Sequence, residues 1–195
     1  YIRNNIRANL KLIDDNKWLG KYPFHKQSAT IVSGGPYTDY TALHAHIKNN
    51  PNTKIVAVKH SYLKLLEHNI KPWACIVLDP RPITGTSTHG IVRKDLFKTI
   101  DSTTKFFVAS MTDPSVTEYL KEKGADIYGW HAFTESLRDE EERKKGITNN
   151  QVTLREDIGI PKGATLITGG TCAAMRAIGI MHTMGFRYFD LFGYD

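Results

Sequence analysis

Two glycine pairs offer the clearest chemistry in this sequence. Ser33-Gly34-Gly35-Pro36-Tyr37-Thr38 and Thr168-Gly169-Gly170-Thr171 each follow a short β-rich run and precede a helical pattern. A turn without side chains lets a ligand approach backbone N–H groups at a helix N-terminus, where partial positive charge favours phosphate. The same pairs also suit a tight turn that needs only positive φ. Neither is a Walker A loop, because no Gly-Lys-Ser/Thr follows, and neither completes G-x-G-x-x-G. Asp79 ends the apolar run 74–78. A carboxylate there suits Mg²⁺, which takes one or two carboxylates plus phosphate oxygens, or it caps the turn through Pro80. Arg81 is either a phosphate clamp or a solvated loop residue.

Other residues carry weaker chemistry. His60 and His131 follow strand-like runs, as acid, base or phosphate donor, or as packed or surface histidines. Cys172 at a helix N-terminus has the setting of a lowered thiol pKa, but reads more simply as a small buried core thiol. His44 and His46, two apart on a helix, do not share a face and read as solvated. The segment 84–90 is small and polar, either a lid or a surface loop. No zinc spacing and no Gly-x-Ser-x-Gly elbow occurs.

The elements that must position these residues alternate. Ile2, Ile6, Leu10 and Ile13 predict an amphipathic helix over 2–13, and 18–28 is irregular. Short apolar runs at 29–33, 54–58, 74–78, 105–109, 126–130, 164–168 and 188–192 predict strands. Between them, Asp39 caps a helix to about 48, Ser61 caps one to 68, and Asp113-Pro114 starts one to 123. The charged stretch 135–145 reads as a solvated helix or an excursion. A last helix runs from Thr171 to about Met184. This alternation means a mostly parallel sheet covered on both faces, a Rossmann-like α/β fold. Residues 1–27 form a helical lead-in, and 28–195 form the domain. Ligands of such sheets bind at the carboxyl ends of the strands. Those ends carry the first glycine turn, His60, Asp79, Ser110, His131, the second glycine turn and Asp195.

Composition excludes several classes. The 195 residues are 41% hydrophobic and 24% charged, which rules out a disordered or fibrous chain. No apolar run approaches the roughly 20 residues that cross a bilayer. The start at Tyr1, without Met or an apolar core, reads as a trimmed start rather than an export signal. Two cysteines make no disulfide framework, so a reducing cytoplasm is the expected setting. The first 100 residues carry 15 Lys and Arg against 6 Asp and Glu, and the remainder 11 against 14. The basic half suits an anionic ligand, but its charges are scattered, so nucleic acid is not the expected partner.

The block Ser28-Ala29-Thr30-Ile31-Val32-Ser33-Gly34-Gly35-Pro36-Tyr37 resembles the strand and Gly-x-Gly-Pro-Ser-Leu turn of a known family. That family includes archaeal 6-hydroxymethyl-dihydropterin diphosphokinases (MptE-like) and bacterial motility accessory factors. The runs 54–58, 65–72 and 77–80 match its spacing. So do Thr168-Gly169-Gly170-Thr171, Ala177 and the closing stretch 185–195. The family's Pro-Ser-Leu is here Pro36-Tyr37-Thr38, with Thr38 placed to replace the hydroxyl one position later. Relatives usually continue beyond the closing Asp. The resemblance implies a nucleotide-dependent transferase. Its leading form passes pyrophosphate from Mg²⁺-ATP to a pterin-type acceptor. One alternative is a glycosyltransferase using a sialic- or nonulosonic-type nucleotide sugar, similar to a bacterial sialyltransferase family. The other is a non-catalytic nucleotide- or sugar-binding module. In the transferase, Ser33 to Thr38 hold the nucleotide, and Gly169, Gly170 and Thr171 hold phosphate or acceptor. Asp79 and Asp195 hold Mg²⁺, and His60 or His131 serves as base. A small-molecule or glycan acceptor and a homo-oligomer are compatible partners.

Overall fold

The computed structural model describes residues 2–83, 90, 92, 94–133, 159–170 and 172–195. Seven strands form one sheet: β1 Ser28–Val32, β2 Lys54–Val58, β3 Ala74–Val77, β4 Lys105–Ala109, β5 Asp126–Ala132, β6 Leu166–Ile167 and β7 Tyr188–Phe192. Their order is β6-β5-β4-β3-β2-β1-β7, and every pairing is parallel. The chain walks from β1 to one edge and then returns with β7 beside β1. The described helices are α1 Ile2–Leu12, α2 Tyr40–Asn49, α3 His60–Glu67, α4 Pro114–Glu122 and α5 Ala173–Thr183. This is the Rossmann-like α/β architecture. No described helix is long and apolar enough to cross a membrane.

Both faces of the central strands are covered, which is why they read as unbroken apolar runs. On one face Val32, Ala57, Cys75, Val77, Phe106 and Val108 meet Ile6, Leu43, Leu65 and Leu120 of α1 to α4. On the other, Ile31, Val56, Ile76, Phe107 and Trp130 meet Ala177, Ile180 and Met181 of α5, with Leu19 and Phe186.

Helix α1 is tied into the domain by polar atoms. Ile2 and Leu10 pack against the core as their spacing predicts, and the buried side also takes in Asn5 and Asn9 beside Ile6. Asn9 is fully buried. Its Nδ2 donates to the carbonyls of Ser110 (2.9 Å) and Thr112 (2.6 Å), and its Oδ1 accepts from Thr117 Oγ1 at 2.6 Å. Asn5 Nδ2 donates to Met111 O at 3.2 Å. The loop from β4 to α4 therefore hangs on α1. Beyond α1, the Trp18 ring lies where a Cβ on Gly129 would fall, 2.7 Å from the ring carbons.

Several expectations change. Ser61 does not cap α3, which begins at His60. Its buried hydroxyl accepts from Val58 N–H at 3.1 Å and donates to Val32 O at 2.6 Å, joining the ends of β1 and β2. Strand β5 runs two residues further than its apolar run, so His131 lies inside it. Strand β6 keeps only two residues, because Thr165 N–H donates to Leu19 O instead of entering the ladder. Helix α5 begins at Ala173, with Cys172 as its cap residue, and Thr171 lies outside the described residues. Cys172 is exposed rather than buried. His46 is not simply solvated: its Nε2 sits 3.0 Å from Thr30 Oγ1 and 3.5 Å from Asp190 Oδ2. The stretch 135–145 and residues 84–89 lie outside the described residues.

Asn9→Ala removes one acceptor and two donors from a buried network and leaves two carbonyls and a hydroxyl unsatisfied. The expected loss is about 2–4 kcal/mol in a urea unfolding titration. The control Lys11→Ala, on the exposed side of the same helix, shifts stability by no more than about 0.5 kcal/mol.

Candidate functional site

An open pocket of about 700 Å³ lies at the carboxyl ends of β1, β2, β3 and β7. In a doubly wound sheet this is where the strand order reverses and ligands bind. Four chain segments wall it. They are Ser33 to Pro36 after β1, Lys59 and His60 after β2, Asp79 and Arg81 after β3, and Gly193 to Asp195 after β7. The first turn of α5, Ala173 to Met175 with Cys172 before it, closes the remaining side.

The first glycine turn is locked to the end of β7. Ser33 N–H donates to Phe192 O at 2.8 Å, Gly35 N–H to Gly193 O at 3.0 Å, and Tyr37 N–H to Asp195 Oδ2 at 3.1 Å. Thr38 Oγ1 donates to Gly35 O at 2.9 Å. The glycines serve close approach rather than positive φ. Neither Gly34 nor Gly35 adopts left-handed backbone, but a Cβ on Gly35 would fall 2.6 Å from Gly193 O and against the Asp195 carboxylate. With Gly35 and Tyr37 committed and Pro36 lacking an N–H, this turn has fewer donors for a phosphate than the sequence suggested. The first turn of α5 has more. Its cap residue, Cys172, makes no side-chain capping bond, and the turn holds no acidic residue. This first turn lines the pocket, with the partial positive charge of an 11-residue helix behind it.

The pocket wall also holds a buried charge cluster. Asp79 and Lys59 are 3% and 5% exposed. Lys59 Nζ donates to Asp79 Oδ2. Arg81 grips the same carboxylate through Nη2 (2.7 Å to Oδ2), Nε (2.9 Å to Oδ1) and its backbone N–H (3.0 Å to Oδ1). Burial pushes the Asp79 carboxyl up, but the bonds from Arg81 and Lys59 outweigh it and hold the group at about 2. Two cations thus share one carboxylate within the cluster, and Asp195 brings a second carboxylate to the pocket wall.

Those contacts also decide how a divalent ion fits. The carboxylate of Asp79 is already filled by four donors, and Asp195 Oδ2 accepts from Tyr37 N–H. Among the described residues no three His, Cys, Asp or Glu side chains cluster as a metal site. As arranged here, the Asp79 carboxylate does not fit a resident Mg²⁺.

Of the residues singled out in the sequence, Ser33, Gly34, Gly35, Pro36, His60, Asp79, Arg81, Cys172 and Asp195 meet in the pocket. Tyr37 and Thr38 flank it. Gly169 adopts φ +120° behind the start of α5, where a Cβ would lie 3.1 Å from Met175 O, and Gly170 packs on the Met175 side chain. His131 is fully buried, hydrogen-bonded through Nδ1 to Ser110 Oγ, and does not line the pocket, so it drops out as a base there. Lys59 was not anticipated, whereas the helix start after the second glycine turn was, and it lines the pocket through Cys172 to Met175. Lys59 is legible only as a lysine directly after an apolar strand, a position that water usually claims.

A family described as 6-hydroxymethylpterin diphosphokinase MptE-like matches residues 2–195. No curated protein matches the sequence. Among solved structures, the chain is similar to the MAf glycosyltransferase from Magnetospirillum magneticum AMB-1, with a TM-score of 0.59 and 18% identity. The likeness covers 100% of this chain and 28% of that one, so this chain spans under a third of its length. At that identity the likeness is one of fold. The family match extends over nearly the whole sequence, from α1 through the closing Asp195, and so includes every wall of the pocket: the chain belongs to the MptE-like family.

Proposed function

We propose that this chain carries the donor-nucleotide pocket of a transferase, and that it neutralises donor phosphate with protein cations rather than with a carboxylate-bound metal. The observation that carries this reading is the Lys59–Asp79–Arg81 cluster lining the same pocket as the start of α5. Glycosyl transfer from a nucleotide sugar suits that inventory best. The acceptor hydroxyl attacks the anomeric carbon, the bond from that carbon to phosphate oxygen breaks, and the nucleotide leaves with the electron pair. Arg81 Nη1, which is not used on Asp79, and the α5 N–H groups stabilise the negative charge on the departing phosphate. The acceptor's proton goes to His60 or Asp195, both of which line the pocket. Holding donor and acceptor together supplies much of the remaining rate.

Pyrophosphoryl transfer from ATP to a pterin hydroxymethyl is the second reading, supported by the family's description. It would need Mg²⁺ to neutralise the phosphate charge; the ion would arrive with the nucleotide, and Asp195 would be the pocket carboxylate to hold it.

Product analysis separates the two. The first reading expects release of free nucleotide from a cytidine or uridine sugar in EDTA. AMP formation from ATP and a hydroxymethyl pterin, abolished by EDTA, would replace it with the second. In isothermal titration Arg81→Ala weakens nucleotide binding at least tenfold, about 1.4 kcal/mol. Unchanged affinity in that variant would move the phosphate elsewhere.

The cluster also sets an acid limit. The Asp79 carboxyl titrates lower in the folded chain than its ordinary 3.8, so its stabilisation is complete above that pH and disappears as pH falls towards about 2. Asp79→Asn leaves Lys59 buried beside a neutral amide and costs about 3 kcal/mol or more at neutral pH. Its stability is expected to fall less steeply than the wild type's between pH 4 and 2 in acid titrations followed by circular dichroism.

A further inference from the structure

Tyr37 is 86% exposed, well beyond the exposed aromatics Tyr22, Phe24 and Tyr188, which range from 48% to 58%. A ring left in water gains nothing for the fold. Its surroundings are nevertheless fixed. Its own N–H is held by Asp195, Thr38 is bonded back to Gly35, and Asp39 caps α2 by accepting from Ala42 N–H at 2.9 Å. Neighbouring rings have work in the fold: Tyr40 stacks on His68 at 3.9 Å, and Tyr194 OH donates to Ala174 O at 2.8 Å. Pro36 before Tyr37, and the Asp195 that anchors it, both line the pocket. The result is an aromatic face presented on a pinned backbone at the pocket's rim.

A rigid, solvent-facing aromatic with only two side-chain torsions is an efficient surface for a flat heterocycle, because little motion is lost on stacking. We propose that Tyr37 is the stacking platform for the base of the bound nucleotide. The proposal rests on the pocket taking a nucleotide. It assigns the phosphate to the α5 start and Arg81, and the base to the rim at Tyr37. Stacking on a π face tolerates any base, so the platform selects for an aromatic base without choosing which.

The test compares CMP and AMP with ribose 5-phosphate, which has the sugar and phosphate but no base, by isothermal titration. Tyr37→Ala should weaken both nucleotides roughly tenfold and leave ribose 5-phosphate unchanged, with Tyr37→Phe close to wild type. Melting curves should show both variants folded as the parent is, since the ring packs on nothing. Equal nucleotide binding by Tyr37→Ala overturns the platform and leaves the nucleotide reading intact. An equal loss for ribose 5-phosphate also overturns it, because the effect would then come from the turn's backbone. A wild-type chain that takes ribose 5-phosphate but neither nucleotide overturns the nucleotide reading, and the platform with it.

Discussion

The carboxylate of Asp79 holds two cations, Lys59 and Arg81, at the edge of the pocket. It ends β3 almost out of water, and it stays charged there because Lys59 and Arg81 hold it. Removing either cation would raise the cost of burying that charge, and removing the carboxylate would strand Lys59. The same residue accepts Asp113 N–H through its carbonyl at 2.9 Å, which fixes the start of α4. That loop in turn hangs on Asn9 of α1. A path of hydrogen bonds thus runs from the first helix to the two cations at the pocket. A domain that keeps such a cluster at its ligand edge uses burial to hold positive charge in place, where a surface lysine would swing freely.

The opposite wall depends on a different constraint, the close approach of β7's end to β1's end. Gly35 and Gly193 bring two backbones together where a Cβ would not fit. The contact spends the turn's own N–H groups on Gly193 and Asp195, so the first glycine turn becomes a support. In the proposed transferase the anion-seeking role passes to α5, whose first turn carries no acidic residue. Cations on one side and an open helix start on the other suit a ligand whose phosphate lies between them.

Much of the fold was legible because the strands are short apolar runs with clear stops. Lys54–Val58, Lys105–Ala109 and Tyr188–Phe192 appear at their full lengths. What was hidden depended on partners far away in sequence. Asn5 and Asn9 look like the polar side of α1, and become core only because the carbonyls of the 110–112 loop sit above them. Ser61 resembles a cap until β1 supplies Val32 O. Lys59 resembles a surface lysine until Asp79, twenty residues on, closes over it. In the site, residue types at strand ends located the pocket, but hydrogen bonds decided which groups remain available. That is why Asp79 reads as a metal ligand in sequence and as the centre of an ion-pair cluster in space.

The central claim is that protein cations, not a carboxylate-held metal, meet the donor phosphate. A crystal structure of the chain with a nucleoside phosphate bound in EDTA tests it most directly. The account predicts phosphate oxygens within hydrogen-bond distance of Arg81 and the first-turn N–H groups of α5, with Asp79 still bonded to Lys59. A phosphate that binds only when Mg²⁺ is supplied, bridged by the ion to an Asp79 released from Lys59, would contradict it.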